Sequence, residues 1–250
     1  MIISVFGKDG SGKTTIATHL AKVLSDKNKF VGIVSLEMRY GSIQRSLGIN
    51  ISEDKSIINA LTQSDIRNYA TRYTDNIYVF SLSDTDDITK YDALQNIAKD
   101  ENILLGFLKK LNESFDYVVM DLTEMVIDSL TYFMIKNSDK LINIFESRAE
   151  QISFAQSHNH ILHSLTTGEN NIINVLNKHD EAIINKSTIK DICDFDITID
   201  FNTDIIKDER QCKLNKYLLK QANEITQLVE NKNVNNNKKS NVFSKILGRR

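Results

Sequence analysis

The residues with the clearest chemical meaning are nine near the N-terminus, where glycines are spaced between lysine and hydroxyl side chains. The run is Gly7, Lys8, Asp9, Gly10, Ser11, Gly12, Lys13, Thr14 and Thr15, and it fits the phosphate-binding pattern G-x-x-x-x-G-K-[ST]. Glycines let backbone N–H groups turn toward phosphate oxygens at a helix N-terminus, where the aligned dipoles favour anions. Lys13 would reach the β- and γ-phosphates, and Thr14 would place its hydroxyl on Mg²⁺. The run therefore predicts a nucleoside triphosphate site.

The segments on either side of this loop favour the same interpretation. An apolar run, Ile2–Phe6, precedes it, and apolar residues recur at helical spacing behind it, at Ile16, Ala17, Leu20, Ala21, Val23 and Leu24. The loop is thus expected to join a buried strand to a helix. A glycine turn without a nucleotide is the alternative, and this setting counts against it.

Composition sets the broad class of the protein. The chain has 250 residues, of which 41% are hydrophobic and 26% charged, as in an ordinary globular protein with one sizeable core. The net charge of −2 argues against a nucleic acid partner held by a general positive field. Cys193 and Cys212 form neither a disulfide framework nor a C-x-x-C pair. No segment approaches the roughly 18 apolar residues of a membrane span, so we expect a cytoplasmic protein.

Alternating strand and helix patterns predict the fold. After Ile2–Phe6, strands are expected at Phe30–Leu36, Ile77–Leu82, Tyr117–Asp121, Leu141–Phe145 and Ile172–Leu176, with Ile197–Phe201 as a candidate edge strand. Helices are expected after the loop and at Ser56–Thr62, Ile103–Leu111, Ile127–Asn137, Ala149–Leu165 and Leu218–Val229. This order predicts an α/β fold with a doubly wound, mainly parallel sheet. Ligands of such sheets bind at the carboxyl ends of the strands, where the loop lies.

Lys8 narrows the class of nucleotide site. The pattern K-x-G-x-G-K-[ST]-[ST] resembles the deviant Walker A motif of the MinD/ParA ATPases, usually K-G-G-x-G-K-T-T. The resemblance implies that Lys8 crosses a homodimer interface to the phosphates of the partner's ATP. An exposed loop lysine is the plainer interpretation. Asp9 replaces the family's glycine, and its carboxylate should weaken phosphate binding unless it points away or meets Lys8.

A second stretch extends the resemblance. Phe115–Asp121 is similar to the F-D-Y-V-x-x-D Walker B segment of the same family, which implies that Asp121 helps to hold Mg²⁺. The alternative is an aspartate that simply ends a strand. The family usually continues D-x-P-x-G, but here Thr123 and Met125 stand at the proline and glycine positions. In the family this segment is the second switch, whose glycine N–H senses the γ-phosphate. It is therefore expected to be degenerate here.

The first switch also departs from the family pattern. Ser35-Leu36-Glu37 stands where the family carries D-x-D, so Glu37 takes the position of the carboxylate that orients the attacking water. Its extra methylene would displace the oxygens by roughly an ångström, an error that costs about 10²-fold in rate. Hydrolysis is expected to be slow, unless Glu37 is only a solvated loop residue. Asn177 resembles the asparagine of the family's adenine-contacting N-[RK] pair.

The C-terminal residues form the second strong feature. Residues 231–240 are rich in Asn and Lys and predict a disordered linker after an ATPase domain over 1–230. Residues 241–250 predict an amphipathic helix. Its apolar stripe is Val242, Phe243, Ile246 and Leu247, and its basic residues are Lys245, Arg249 and Arg250. Such a tail is typical of membrane-targeting segments in MinD-like proteins, while docking on a partner or on its own domain is the alternative.

Together these features resemble a MinD-like regulator. The resemblance implies a homodimer formed with ATP and Mg²⁺, peripheral on the inner face of the cell membrane, that positions a division septum, flagella or pili with an activating or cargo protein. Two alternatives stay open, a ParA-like DNA partition ATPase and a non-hydrolysing ATP-dependent scaffold. An electron-transferring iron protein of the same fold is excluded, because the chain lacks the cysteine ligands for a bridging cluster.

Overall fold

An eight-stranded sheet forms the centre of the protein in the computed structural model, which describes residues 1–36, 42–166 and 171–230. The strands are β1 (Ile2–Gly7), β2 (Val31–Ser35), β3 (Thr71–Arg72), β4 (Ile77–Phe80), β5 (Tyr117–Asp121), β6 (Lys140–Glu146), β7 (Ile172–His179) and β8 (Ile197–Asp200). Their order is β3-β4-β2-β5-β1-β6-β7-β8, and only the β3–β4 pair is antiparallel. The predicted α/β fold with a mainly parallel sheet is confirmed.

Two sequence predictions needed revision along the strands. The two-residue strand β3 was not predicted, because so short a segment carries no period-two pattern. Strand β7 was predicted to end at Leu176, but it continues to His179 because Asn177 pairs with Glu146 of β6 and His179 with Asp200 of β8. Asn177 therefore lies within a strand and not after one.

Helices cover both faces of the sheet. They are α1 (Lys13–Asp26), α2 (Ser42–Leu47), α3 (Ile57–Thr62), α4 (Ile88–Ile97), α5 (Glu101–Ser114), α6 (Ser129–Lys136), α7 (Ala149–Leu165), α8 (Lys186–Lys190) and α9 (Thr203–Arg210), with α10 over 216–230. The sequence predicted α1, α3, α5, α6, α7 and α10 but missed α2, α4, α8 and α9. The missed helices are short or polar, so their apolar periodicity is weak.

The core is divided by the sheet into two apolar layers. Successive residues of β1 alternate between them, so that Ile3 and Val5 pack with α1 and α10, whereas Ile2 and Phe6 pack with α5 and α6. Every residue of β1 is buried. A strand covered on both faces is mostly apolar, which is why Ile2–Phe6, interrupted only by Ser4, gave so clear a signal.

The topology brings several loops to one edge of the sheet. Strand β1 lies between β5 and β6, and all three run in the same direction. The loops after these strands therefore meet at their carboxyl ends, next to the start of α1. Within the described ranges, no helix has the length and apolar character needed to cross a membrane.

Candidate nucleotide-binding site

The loop after β1 adopts the glycine-dependent conformation that its sequence predicts. Gly7 has φ 154° and Gly12 has φ 96°. A Cβ on Gly7 would lie 2.2 Å from the carbonyl oxygen of Ile144, and one on Gly12 would lie 2.5 Å from Nδ2 of Asn177. No side chain fits at either position without moving the backbone or Asn177. The loop ends directly in α1, whose first residue is Lys13.

Thr14 and Asp121 meet beside this loop. The Thr14 hydroxyl donates to Oδ2 of Asp121 over 2.7 Å, and the Asp121 side chain is completely buried at the end of β5. Across the described ranges, no cluster of three or more His, Cys, Asp or Glu side chains is arranged to hold a metal ion. A hydroxyl and a carboxylate nevertheless fit Mg²⁺, which usually keeps several waters and takes the remaining oxygens from substrate phosphates. The structure thus brings the two predicted ligands together, and their role as ligands stays a prediction.

Lys13 points into the loop and is almost buried, with 6% of its surface exposed. Its ammonium lies 3.2 Å from Oδ1 of Asp9 and donates to the carbonyl oxygen of Lys8 over 3.3 Å. Asp9 was expected to weaken phosphate binding unless it points away or meets Lys8. Its carboxylate meets Lys13, the lysine that the motif assigns to the phosphates.

Lys8 lies on the outer side of the same loop. Its ammonium is 3.6 Å from Oε1 of Glu150 in the first turn of α7, and about a third of its side chain is exposed. The backbone beside it is held from two elements. The N–H of Asp9 donates to Glu124 over 2.9 Å, and its carbonyl accepts from Gln151 over 3.2 Å. No local pattern predicts these contacts, which join residues more than a hundred positions apart.

Asn177 and Lys178 support the loop from β7. The Asn177 amide donates to the carbonyl oxygen of Ser11 over 2.7 Å, and its side chain is buried. The Lys178 ammonium donates to the carbonyl oxygen of Gly10 and lies 2.7 Å from Glu146. The amide nitrogen of Asn177 is thus already used by the loop. The adenine contact predicted for this residue stays a prediction.

A further carboxylate reaches the first turn of α1 from α9. The Thr15 hydroxyl donates to Oε1 of Glu209. One turn along α1, Nδ1 of His19 donates to the carbonyl oxygen of Thr15 over 2.6 Å, and its Nε2 accepts from the N–H of Asn215 over 2.9 Å. The Asn215 amide donates in turn to Asp208 over 2.7 Å. These bonds fix the α9–α10 turn against the nucleotide loop.

Burial of His19 has a consequence for stability. Desolvation lowers the pKa of His19 below its ordinary value of 6.5. The unfolded chain therefore takes up this proton at a higher pH than the folded protein does. We therefore expect the free energy of unfolding to decrease as the pH is lowered below 6.5. His19 contributes up to about 1.4 kcal/mol of this decrease per pH unit. Urea unfolding at pH 7.5 and 5.5 measures this decrease, which should be smaller in His19→Gln than in the wild type. An equal decrease in the two proteins would contradict the role of His19.

A cavity of about 580 Å³ opens beside the loop, a volume within the usual range for small-molecule sites. Besides the loop it is lined by Arg45 and Ser46 of α2, by Arg148, and by residues of β7, β8 and α9. Its lining also includes the apolar side chains of Phe201, Ile206 and Leu218. Sequence analysis missed the contribution of α9 and the loop before it, because these segments have no motif.

Two sets of predicted site residues lie outside the described ranges. Glu37 falls in the segment 37–41, and the seven predicted membrane residues fall in 231–250. The predicted linker over 231–240 lies in the same C-terminal segment. The proposed roles of these residues stay predictions from the sequence.

Solved structures of the same fold come from several organisms. A putative plasmid partition protein of Borrelia burgdorferi B31, bound to AMPPNP, is 22% identical with a TM-score of 0.73, and the match covers 92% of this chain and 98% of that one. The septum site-determining protein MinD of Pyrococcus horikoshii OT3, with Mg-ADP, is 17% identical with a TM-score of 0.71, and the match covers 92% of this chain and 98% of that one. The cell division ATPase MinD of Pyrococcus furiosus is 18% identical with a TM-score of 0.71, and the match covers 91% of this chain and 98% of that one.

Comparison with curated proteins gives no match. A family model does match, and its range of residues 1–155 contains the phosphate-binding loop, Asp121 and the first turn of α7. The match covers more than half of the chain. The protein therefore belongs to the AAA domain family AAA_31, and its fold is that of the MinD/ParA P-loop ATPases.

Proposed function

We propose that this chain is a MinD-like ATPase that dimerises with ATP and Mg²⁺, binds the inner face of the cell membrane through residues 241–250, and positions a cellular structure. The observation that carries the proposal is that two lysines of one loop lie in different environments. Lys13 is buried and faces the phosphate position, while Lys8 faces outward and is partly exposed. An outward lysine at the mouth of a phosphate site is well placed to meet the nucleotide of a second copy.

The membrane part of the proposal rests on the tail. Its apolar stripe and five nearby basic residues, Lys238, Lys239, Lys245, Arg249 and Arg250, suit an anionic lipid surface. We also propose an activating or cargo protein, as the family resemblance implies. The structure positioned could be a division septum, flagella or pili.

Slow hydrolysis is part of the same proposal. Ser35 ends β2 where the family has a carboxylate, and its hydroxyl lies 3.4 Å from Oδ2 of Asp121. In the second switch the Thr123 hydroxyl is 3.0 Å from that of Thr131 and accepts from the N–H of Met125 over 3.3 Å. The N–H at the position of the family's glycine is thus bonded within its own segment. This arrangement supports a rate well below the median enzyme value of about 10 s⁻¹ in the absence of a partner.

The direct test of the proposal is dimerisation. With ATP and Mg²⁺ the wild-type protein should shift from monomer to dimer in analytical ultracentrifugation. Lys8→Ala should remain monomeric while its Kd for nucleotide stays within a few-fold of the wild-type value, because the Lys8 ammonium lies beside Glu150 and Lys8 does not line the cavity. Glu150→Gln removes the neighbour of Lys8 and should still dimerise. A Lys8→Ala protein that dimerises as well as the wild type would refute the role in the partner's site.

A ParA-like partition ATPase is the second candidate, favoured by the likeness to the Borrelia plasmid partition protein. It would bind DNA as the ATP-bound dimer, so a mobility-shift assay with ATP separates it from a membrane protein. A scaffold that binds ATP without hydrolysing it is the third candidate. Steady-state ATPase measurement with and without anionic vesicles separates that scaffold from both ATPases.

A further inference from the structure

Two donors of the phosphate-binding loop are held by carboxylates of the same chain. The Lys13 ammonium is paired with Asp9, and the Thr15 hydroxyl donates to Glu209. Both donors lie where the loop and the first turn of α1 favour an anion. These donors and the N-terminus of α1 stabilise the negative charge of a carboxylate as they would that of a phosphate oxygen.

Asp9 is held in place by more than its ion pair. Its N–H is bound by Glu124 and its carbonyl by Gln151, which fixes the backbone on both sides of the side chain. The ammonium that it meets is nearly buried, so solvent screens the pair less than it would a surface pair. Phosphates arriving at Lys13 must therefore displace this carboxylate or lie beside it.

Glu209 is brought to Thr15 by a separate set of anchors. Its neighbour Asp208 accepts from the Asn215 amide, and the N–H of Asn215 donates to His19 on the same face of α1 as Thr15. At the other side of the turn, the Cys212 thiol donates to the carbonyl oxygen of Arg45 in α2 over 3.2 Å. The carboxylate is thus directed at the cavity by a turn that is bonded to two helices.

We propose that Asp9 and Glu209 are internal competitors for the nucleotide phosphates, and that they set the affinity of the site. They occupy Lys13 and Thr15 in the empty protein and oppose the negative charge of an arriving nucleotide. The apparent Kd then equals the intrinsic Kd divided by the fraction of molecules in which the donors are released. The inference rests on the nucleotide binding in the proposed function, and it requires neither dimerisation nor a membrane.

The test is titration of ATP–Mg²⁺ and 2′-deoxy-ATP–Mg²⁺ by calorimetry into the full chain and its variants. If about nine molecules in ten are self-occupied, Asp9→Asn and Glu209→Gln should each lower the Kd by up to about tenfold, equally for the two nucleotides. Asp204→Asn removes the same charge from α9 at a residue paired with Lys207 and outside the cavity, so its Kd should equal the wild-type value. The empty Asp9→Asn protein should also have a lower Tm, because Lys13 loses its counter-charge.

The measured Kd and Tm values distinguish internal competition from a ribose contact and from failure of the proposed function. A lower Kd in both variants, with a lower Tm of empty Asp9→Asn, supports the proposal. An unchanged or higher Kd in folded Asp9→Asn overturns it for Asp9. Weaker binding of ATP but not of 2′-deoxy-ATP to Glu209→Gln would make Glu209 a ribose ligand and overturn it for that residue. Absence of nucleotide binding in the wild type and in all variants would instead refute the proposed function. In that case, a Tm of empty Asp9→Asn equal to that of the wild type would still count against the Lys13–Asp9 pair.

Discussion

Deletion of residues 241–250 should abolish ATP-dependent binding of the protein to anionic vesicles, and Phe243→Glu should do the same. A ten-residue helix is unstable alone in water, because nucleation outweighs its few hydrogen bonds. It should therefore fold only where Val242, Phe243, Ile246 and Leu247 can be buried. Full burial of such side chains yields roughly 1.5–3 kcal/mol each, less at an interface. Each basic residue near anionic lipid adds about 1 kcal/mol.

One tail is a weak anchor by this reasoning, whereas two tails on one dimer act together. Effective concentration then raises the overall affinity by up to about 10²–10⁴. ATP would thus control membrane binding by controlling dimerisation, with no change in the tail itself. Binding should rise with ATP and fall with added salt, because the basic residues are screened.

Co-sedimentation with phosphatidylglycerol-containing vesicles measures this effect. Ser244→Glu is the matched control, since it adds the same charge on the polar side of the predicted helix and should reduce binding far less than Phe243→Glu. If full-length and truncated proteins pelleted equally, the tail would be a partner-docking segment. The main reason for preferring a MinD-like to a ParA-like function would then be gone.

Lys13→Ala should raise the Kd for ATP–Mg²⁺ by about 10²-fold or more. The Lys13 ammonium is nearly buried, and charge-assisted hydrogen bonds of this kind contribute about 1.5–3 kcal/mol each. Lys13 would contact two phosphate groups, so its loss exceeds that of a single bond. The effect should be larger for ATP than for ADP, because only ATP offers the γ-phosphate.

Calorimetric titration checks this prediction, with Lys22→Ala as the control. Lys22 lies on the same helix, pairs with Asp26 at the surface and is outside the cavity, so its variant should bind ATP like the wild type. Lys13→Ala also removes the ion pair with Asp9, so its Tm should be measured in parallel. A Kd unchanged in a folded Lys13→Ala protein would mean that the loop does not hold the phosphates.

The sequence by itself determined the order of the fold and the centre of the site. The buried strands are continuous apolar runs and the loop has a fixed glycine spacing, so β1, α1 and β5 were recognisable without coordinates. The meeting of Thr14 and Asp121 followed from the same information, because both lie at the carboxyl edge of a parallel sheet. These features depend on residue type and short-range spacing, which a single sequence displays.

Only the tertiary structure decided how the loop is held and what its donors contact. Glu209 reaches Thr15 across 194 positions, and Gln151 reaches Asp9 across 142. Asn177 lies within β7 and donates to the carbonyl oxygen of Ser11, and Asp9 pairs with Lys13. Such contacts depend on how β7, α7 and α9 pack around the loop, and no local pattern encodes the relative placement of distant elements. The Asp9 carboxylate was visible in the sequence, but its pairing with Lys13 and the approach of Glu209 to Thr15 depend on the tertiary structure.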